Sequence, residues 1–288
     1  MSTIDTSIDP KPTGSAAILA AEHSAPHPLI LYGGWFCPFV QRTWIVLTEK
    51  CIPYQYIEIN PYKKAPEFIA LNPRGLVPTL AVPSSQTSGS SGEGQTQALY
   101  ESNIVCEYLD EEYRGEVKFG PSLLPGTSYE RARCKLWMDH ISSKIVPSFY
   151  KLLQHTPEKA YLLDEAREQL HAGIKTLTRE MKEEESGPWF LGDTFTMVDV
   201  CLAPWAKRLW LIDHYKPGGC GFPEKGEAGE EEEVWRRWRL WLDAILHRES
   251  VLKTSSSDEM YIDVYRRYAE DTTSSLVGQA TRKGERLP

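Results

Sequence analysis

Nowhere in the 288 residues does an apolar run reach the length that spans a bilayer, so no membrane association is expected. Lysine and arginine never cluster densely enough to track a phosphate backbone. With 40 acidic against 32 basic residues the net charge is −8, and nucleic acid is not an expected partner. The six cysteines, Cys37, Cys51, Cys106, Cys134, Cys201 and Cys220, are spread along the chain without close pairing. That is unlike a secreted disulfide scaffold and points to reduced thiols in a cytoplasmic setting. The early run Ala16-Ala17-Ile18-Leu19-Ala20-Ala21 is flanked by Asp5, Asp9 and Glu22 without a basic segment, so neither a secretory nor a mitochondrial leader fits. A Gly-rich phosphate loop, a dinucleotide fingerprint and a zinc-protease helix are all missing. The seven histidines have no ligand spacing, and no metal is expected.

What is present suits one large or two moderate globular domains: 41% of the residues are hydrophobic and 25% charged. Residues 1–27 read as a disordered N-terminal tail. Leu29-Ile30-Leu31-Tyr32 has strand character and is broken by Gly33-Gly34; Pro38 then opens a helix running to about Lys50. Tyr54 to Ile59 alternates like a half-buried strand, so a parallel strand-helix-strand unit is expected. Pro66 to Leu71 reads as a short helix closed by Asn72-Pro73-Arg74-Gly75. Pro78 cannot donate to a ladder, so it fits a turn entering the strand that follows, with a cis bond as one option. The polar stretch Ser84 to Gln97 is an exposed loop inside a hairpin whose second strand is Ala98-Leu99-Tyr100. Ser102 stands where it would cap the next helix, whose buried stripe is Ile104, Val105, Tyr108 and Leu109.

Residues 28–113 thus form an α/β domain, 114–126 a linker rich in Gly, Pro and charge, and 127–269 an all-helical domain, followed by a flexible tail over 270–288. Helical patterns cover Tyr129 to Gln154, Pro157 to Glu185, Phe195 to Tyr215 and Val234 to Leu246. Thr196-Met197-Val198-Asp199 has the spacing of a capping box, a structural device, and Pro204 should kink the helix it begins. Lys216 to Glu233 is a Gly-rich, then acidic loop whose Glu230–Glu233 run lies where negative charge favours the next helix start.

Chemistry centres on Cys37. It sits at the mouth of the helix that Pro38 begins, where unpaired N–H groups and the positive dipole end favour thiolate over thiol. The position three residues on is Val40, so no disulfide can form between two such positions, and a redox cycle needs an outside thiol. The competing readings are a small buried hydrophobe and a Cys/His hydrolase assembled through space.

Cys37-Pro38-Phe39-Val40, Asn72-Pro73-Arg74-Gly75-Leu76-Val77-Pro78, Tyr100-Glu101-Ser102 and Cys106-Glu107-Tyr108-Leu109 in combination resemble the omega class of glutathione transferases. The likeness runs from about Leu29 to Leu252. It includes the capping box and the segment Pro204 to Leu209, and leaves out both tails. It implies a thioredoxin-like N-terminal domain, an all-α C-terminal domain with the active cleft between them, glutathione as co-substrate, and a homodimer as the common family assembly. In this resemblance Cys37 forms a mixed disulfide with glutathione and Phe39 lines the pocket. Val77, ahead of a cis Pro78, offers backbone N–H and C=O to the cysteinyl part of the tripeptide. Glu101 takes its ammonium and Ser102 the adjacent carboxylate. Lys64 meets the glycine carboxylate, or Lys63 does, because this segment is one residue longer than the usual pattern. Trp205, Arg208 and Trp241 would line the second-substrate pocket. The stretches 84–97 and 216–233 exceed the family norm and leave substrate preference open.

The expected activity is glutathione-dependent thiol transfer or reduction, including deglutathionylation and dehydroascorbate-type reduction. A glutathione-conjugating transferase acting on small electrophiles is the enzymatic rival, and a non-catalytic module of the same fold is the third reading. The retained Cys37, Glu101 and Ser102 speak against the last.

Overall fold

A computed structural model describes residues 11–83 and 96–288. In its N-terminal part, β1 (Ile30–Gly33) is followed by α2 (Pro38–Glu49), β2 (Gln55–Glu58), α3 (Pro66–Leu71), β3 (Thr79–Pro83), β4 (Thr96–Tyr100) and α4 (Ser102–Glu112), all preceded by α1 (Gly14–Glu22). The sheet order is β2-β1-β3-β4. β1 pairs parallel to β2 with Gly33 opposite Glu58, and antiparallel to β3 with Leu31 opposite Leu80; β3 and β4 pair antiparallel. This mixed sheet with its helices is thioredoxin-like, as expected.

Glycine is required where α2 crosses the sheet: a Cβ on Gly33 would come within 2.6 Å of Val40 Cγ1 and 3.1 Å of Tyr56. Behind it Trp44 stacks on Tyr56 at 4.5 Å, and Trp44, Ile45, Leu80, Val105 and Leu109 are fully buried. At the far end of α2, Lys50 Nζ reaches Asp110 Oδ1 at 2.9 Å inside the core and Pro121 O at 3.3 Å. Such a buried pair is costly to break because the surviving charge is left uncompensated.

By its contacts the chain divides into two units. The first holds the described residues up to Ser122 together with Leu252–Ser257; the second holds Leu123–Val251 and Asp258–Pro288. The return of 252–257 to the first unit was not expected, and it is fastened by hydrogen bonds. Gln41 Nε2 donates to Thr254 Oγ1 and Ser255 Oγ, both at 3.1 Å, and Ala16 N donates to Ser255 O at 3.2 Å. The same contacts correct the N-terminal tail: α1 is an ordered helix with Ala16 and Leu19 buried. The linker also contains a short helix, α5 (Glu116–Phe119).

The second unit is all-helical. α6 (Ser128–His140) passes through one π-turn, Ile141–Ile145, into α7 (Val146–Leu153); α8 (Leu163–Thr178), α9 (Met197–Ala206), α10 (Trp210–Tyr215) and α11 (Glu232–Leu246) follow. α12 (Glu249–Lys253) bridges the two units in sequence, and α13 (Asp258–Ala269) and α14 (Leu276–Lys283) complete the chain. α14 corrects the expected flexible tail over 270–288: Ser275 caps it through Gly278 N, and Gly278 and Ala280 are buried.

The capping box is formed, with Asp199 Oδ2 accepting from Thr196 N and Oγ1, both at 2.8 Å. Pro204 lies inside α9. The stretch 216–233 is tethered rather than free. Arg167 on α8 donates to Pro217 O at 2.7 Å and Gly219 O at 3.1 Å, and His171 Nε2 bonds Cys220 O at 2.7 Å. Gly219, at φ +53°, admits no side chain, since a Cβ there would meet Asp213 Oδ1 at 2.2 Å. Of the 84–97 loop, residues 84–95 lie outside the described residues. Among the described residues no helix is long and apolar enough to cross a membrane, and no group of three or more His, Cys, Asp or Glu is placed to hold a metal ion.

Candidate active site

The first unit gathers its site at the N-termini of α2 and α4. Cys37 is the N-cap of α2, with Pro38 as first helical residue. Its amide donates to Gly34 O at 2.9 Å and its carbonyl accepts from Gln41 N at 3.1 Å. The thiol is part-exposed, and its Sγ stands 4.0 Å from Val77 O. The Val77–Pro78 peptide is cis. The loop carrying it is knotted by Asn72, fully buried, whose Nδ2 donates to Leu76 O at 3.1 Å and Thr79 Oγ1 at 2.9 Å.

Glu101 and Ser102 take different places from those the sequence suggested. Glu101, not Ser102, is the N-cap of α4, and Ser102 is the first residue of the helix. Glu101 has φ +71°, in the region that side chains with a Cβ rarely adopt; such strain costs on the order of 1–3 kcal/mol and clusters at binding sites. Its carboxylate is ion-paired with Arg74, both side chains being partly exposed. Ser102 is buried, and its Oγ accepts from Arg42 Nη1 at 3.2 Å. The Arg42 guanidinium also lies 5.5 Å from the centre of the Phe39 ring, so one buried arginine ties Phe39 to Ser102. Lys64 leans over the Asn72–Gly75 turn, its Nζ 3.1 Å from where a Gly75 Cβ would stand; Lys63 is exposed.

Beneath the Cys37 turn lies Glu58. Its Oε1 accepts from Trp35 N at 3.0 Å and its Oε2 from Tyr56 Oη at 2.7 Å. Burial pushes its carboxyl up to about 7, although both hydrogen bonds oppose the rise. Tyr56, buried beside it, has its phenol pushed well up by desolvation and then by Glu58. Neither Arg42 nor Glu58 was singled out from the sequence. The only sequence signals were an arginine five residues after the cysteine and a glutamate at a polar position of the alternating stretch Tyr54 to Ile59.

In the second unit Trp205, Arg208 and Trp241 are fully buried. Trp241 Nε1 donates to Asp199 Oδ1 at 2.7 Å and its ring stacks on Trp238 at 5.0 Å. Arg208 Nη1 donates to Pro204 O at 2.7 Å, with Tyr261 4.7 Å from its guanidinium.

Residues 36–112 match the family of the glutathione S-transferase N-terminal domain, and residues 160–244 that of its C-terminal domain. Glutathione S-transferase omega-1 of Sus scrofa is 34% identical over 207 residues, covering 69% of this chain and 77% of the relative. The chain belongs to the omega class of the glutathione transferases. Glutathione S-transferase omega-2 of Homo sapiens is 33% identical over 190 residues, 64% of this chain and 68% of that one. The crystal structure of glutathione transferase Omega 3C from Trametes versicolor superposes with a TM-score of 0.72 at 38% identity, covering 92% of this chain and all of the other. As a member of this class the protein is a transferase whose co-substrate is glutathione.

Proposed function

We propose that this transferase works through a Cys37 thiolate as a thiol transferase and reductase. The supporting observation is the position of Cys37, at the N-cap of α2 with Sγ 4.0 Å from Val77 O and with Val40 where a second cysteine would stand. The thiolate attacks the glutathione sulfur of a glutathionylated substrate. A Cys37–glutathione disulfide forms, the substrate sulfur leaves with the electron pair and takes up a proton. The thiolate of a second glutathione then attacks the glutathione sulfur of that mixed disulfide, releasing oxidised glutathione and returning Cys37. Dehydroascorbate-type reduction would draw its two electrons from the same pair of glutathiones.

Glutathione would lie along the loop before β3, its cysteinyl backbone paired with Val77 ahead of Pro78, with Phe39 beside it. Glu101 would exchange Arg74 for the γ-glutamyl ammonium. Ser102, at a helix start and backed by Arg42, would donate to the neighbouring carboxylate. Lys64 is favoured over Lys63 for the glycine carboxylate because it leans toward the same loop. Trp205, Arg208 and Trp241 would support the second-substrate pocket from behind, since all three are buried and the polar atoms of Trp241 and Arg208 are directed at Asp199 and Pro204. A cytoplasmic homodimer completes the reading.

The test is intact mass after mixing with oxidised glutathione, with digestion to locate the adduct. One glutathione on Cys37, lost in Cys37→Ser together with thiol transfer, is expected. Thiol transfer surviving in Cys37→Ser would overturn the mechanism, and conjugation of small electrophiles gained in that variant would mark the site as one that also activates bound glutathione directly.

A further inference from the structure

The Gly34–Trp35 peptide helps hold the turn that presents Cys37. Gly34 O and Trp35 N–H belong to the same peptide, and in a trans peptide they point in opposite directions. Gly34 O accepts the Cys37 amide at 2.9 Å, while Trp35 N–H donates to Glu58 Oε1 at 3.0 Å. Glu58 is itself fixed on β2 opposite Gly33, where Ile59 N donates to Gly33 O at 2.6 Å. The chain of contacts from Glu58 through the Gly34–Trp35 peptide to the Cys37 amide is therefore continuous.

We propose that Glu58 is a positioning residue for Cys37, gripping the Gly34–Trp35 peptide by its N–H so that the opposite carbonyl fixes the Cys37 amide, with the carboxyl's charge setting how firm that grip is. The inference rests on Cys37 being the reactive thiol.

The physical reason is the strength of the first bond. An ionised carboxylate accepts an amide hydrogen roughly twice as strongly as a neutral acceptor does, and it polarises the peptide so that its carbonyl becomes a better acceptor in turn. A protonated Glu58 loses both effects. The groups that face this carboxyl are the Tyr56 hydroxyl on its own strand, the Trp35 amide from the turn, and Gly34, whose Cβ would lie 3.7 Å from Oε1. From α2, the uncharged Val40 and Trp44 pack on Gly33 and Tyr56, and Cys37 acts electrostatically on Tyr56, as Tyr54 does from just before β2. Burial places the carboxyl's titration near 7, so the grip changes around neutral pH.

The experiment is the pH dependence, from 5 to 9, of Cys37 alkylation by iodoacetamide in the full chain, followed by peptide mass. The wild type should show a transition near 7 in addition to that of the thiol. Glu58→Gln keeps an acceptor without the charge; it should lose the extra transition and react about five-fold more slowly above it. Tyr56→Phe removes a hydrogen bond that favours the ionised carboxyl, so it should keep the transition and move it to higher pH. A Glu58→Gln profile with both transitions, or a rate lowered evenly at every pH as a purely structural role would do, overturns the proposal. If Glu58→Gln does not fold, an unmoved transition in Tyr56→Phe overturns it equally. Alkylation needs no glutathione, so a failed thiol-transfer assay in Cys37→Ser tests the functional reading separately.

Discussion

Arg42 Nη1 donates to Ser102 Oγ at 3.2 Å across the packed faces of α2 and α4, and both residues are buried. A serine hydroxyl has one hydrogen to give. Because its oxygen accepts from the guanidinium, that hydrogen is free to point outward, and the cation strengthens it as a donor. Arg42→Met should therefore weaken glutathione binding by about ten-fold, as measured by titration calorimetry, beyond whatever Ser102→Ala costs in stability. Because the two residues act as a unit, the double variant should lose less than the sum of the single losses, with a coupling of about 1 kcal/mol. Independent, additive losses would mean that Arg42 serves packing alone.

Arg74 stands where a ligand ammonium is expected, ion-paired with Glu101 while both side chains remain partly exposed. Exposed pairs are worth about 0–1 kcal/mol, so the pair is a weak competitor. Arg74→Gln should tighten glutathione binding by about three-fold at low salt, and the gain should vanish near 1 M salt, where the screening length is about 3 Å. Weaker binding in this variant would instead make Arg74 a ligand contact.

Features readable from the sequence were those settled within a few neighbouring residues. Pro38 after Cys37 announced a helix mouth, Gly33-Gly34 a strand end, Asn72-Pro73-Arg74-Gly75 a breaker, and Thr196 to Asp199 a capping box, because each acts on its own backbone. Features that depend on distant partners were not readable. The α1 helix is held by Ser255 and Ser256 from more than 200 positions away, and α14 by its packing rather than by composition. Ser102 looked like a cap because serine favours that place, yet Glu101 takes it at positive φ. Arg42 and Glu58 gain their meaning only when α2 meets α4 and β2 passes under the Cys37 turn. Trp241 is the intermediate case: the resemblance assigned it to the second-substrate pocket, and the partner of its buried indole N–H comes from another helix.

That partner, Asp199, is wholly buried and serves four donors: Thr196 N and Oγ1, Phe190 N and Trp241 Nε1. Burial pushes its carboxyl up while these bonds pull it down. Trp241→Phe removes one donor from a desolvated carboxylate and leaves a gap beside Trp238. It should destabilise the protein by about 2–4 kcal/mol, read by urea unfolding. Glutathione affinity should stay within about two-fold of wild type. A variant of unchanged stability whose KM for the second substrate rises would instead bring the Trp241 ring to the substrate.

His171 links α8 to the stretch 216–233, with Nε2 2.7 Å from Cys220 O and its ring beside Phe222 and Trp235. Desolvation holds its pKa below the ordinary 6.5, helped by Lys175 and Arg167, while the bond to Cys220 and the charge of Glu168 oppose the shift. Folding thus favours the neutral ring. The stability this gives is complete above the unfolded value and is lost as the pH falls from there through the folded value. Acidification below about 6.5 should loosen the tether before the rest of the unit. Hydrogen exchange at residues 218–222 should accelerate between pH 7 and 5, after correction for intrinsic rates, by more than at the core of α9. His171→Asn keeps a side-chain donor but cannot titrate, and it should abolish this difference. An equal acceleration in both proteins would place the acid sensitivity outside His171.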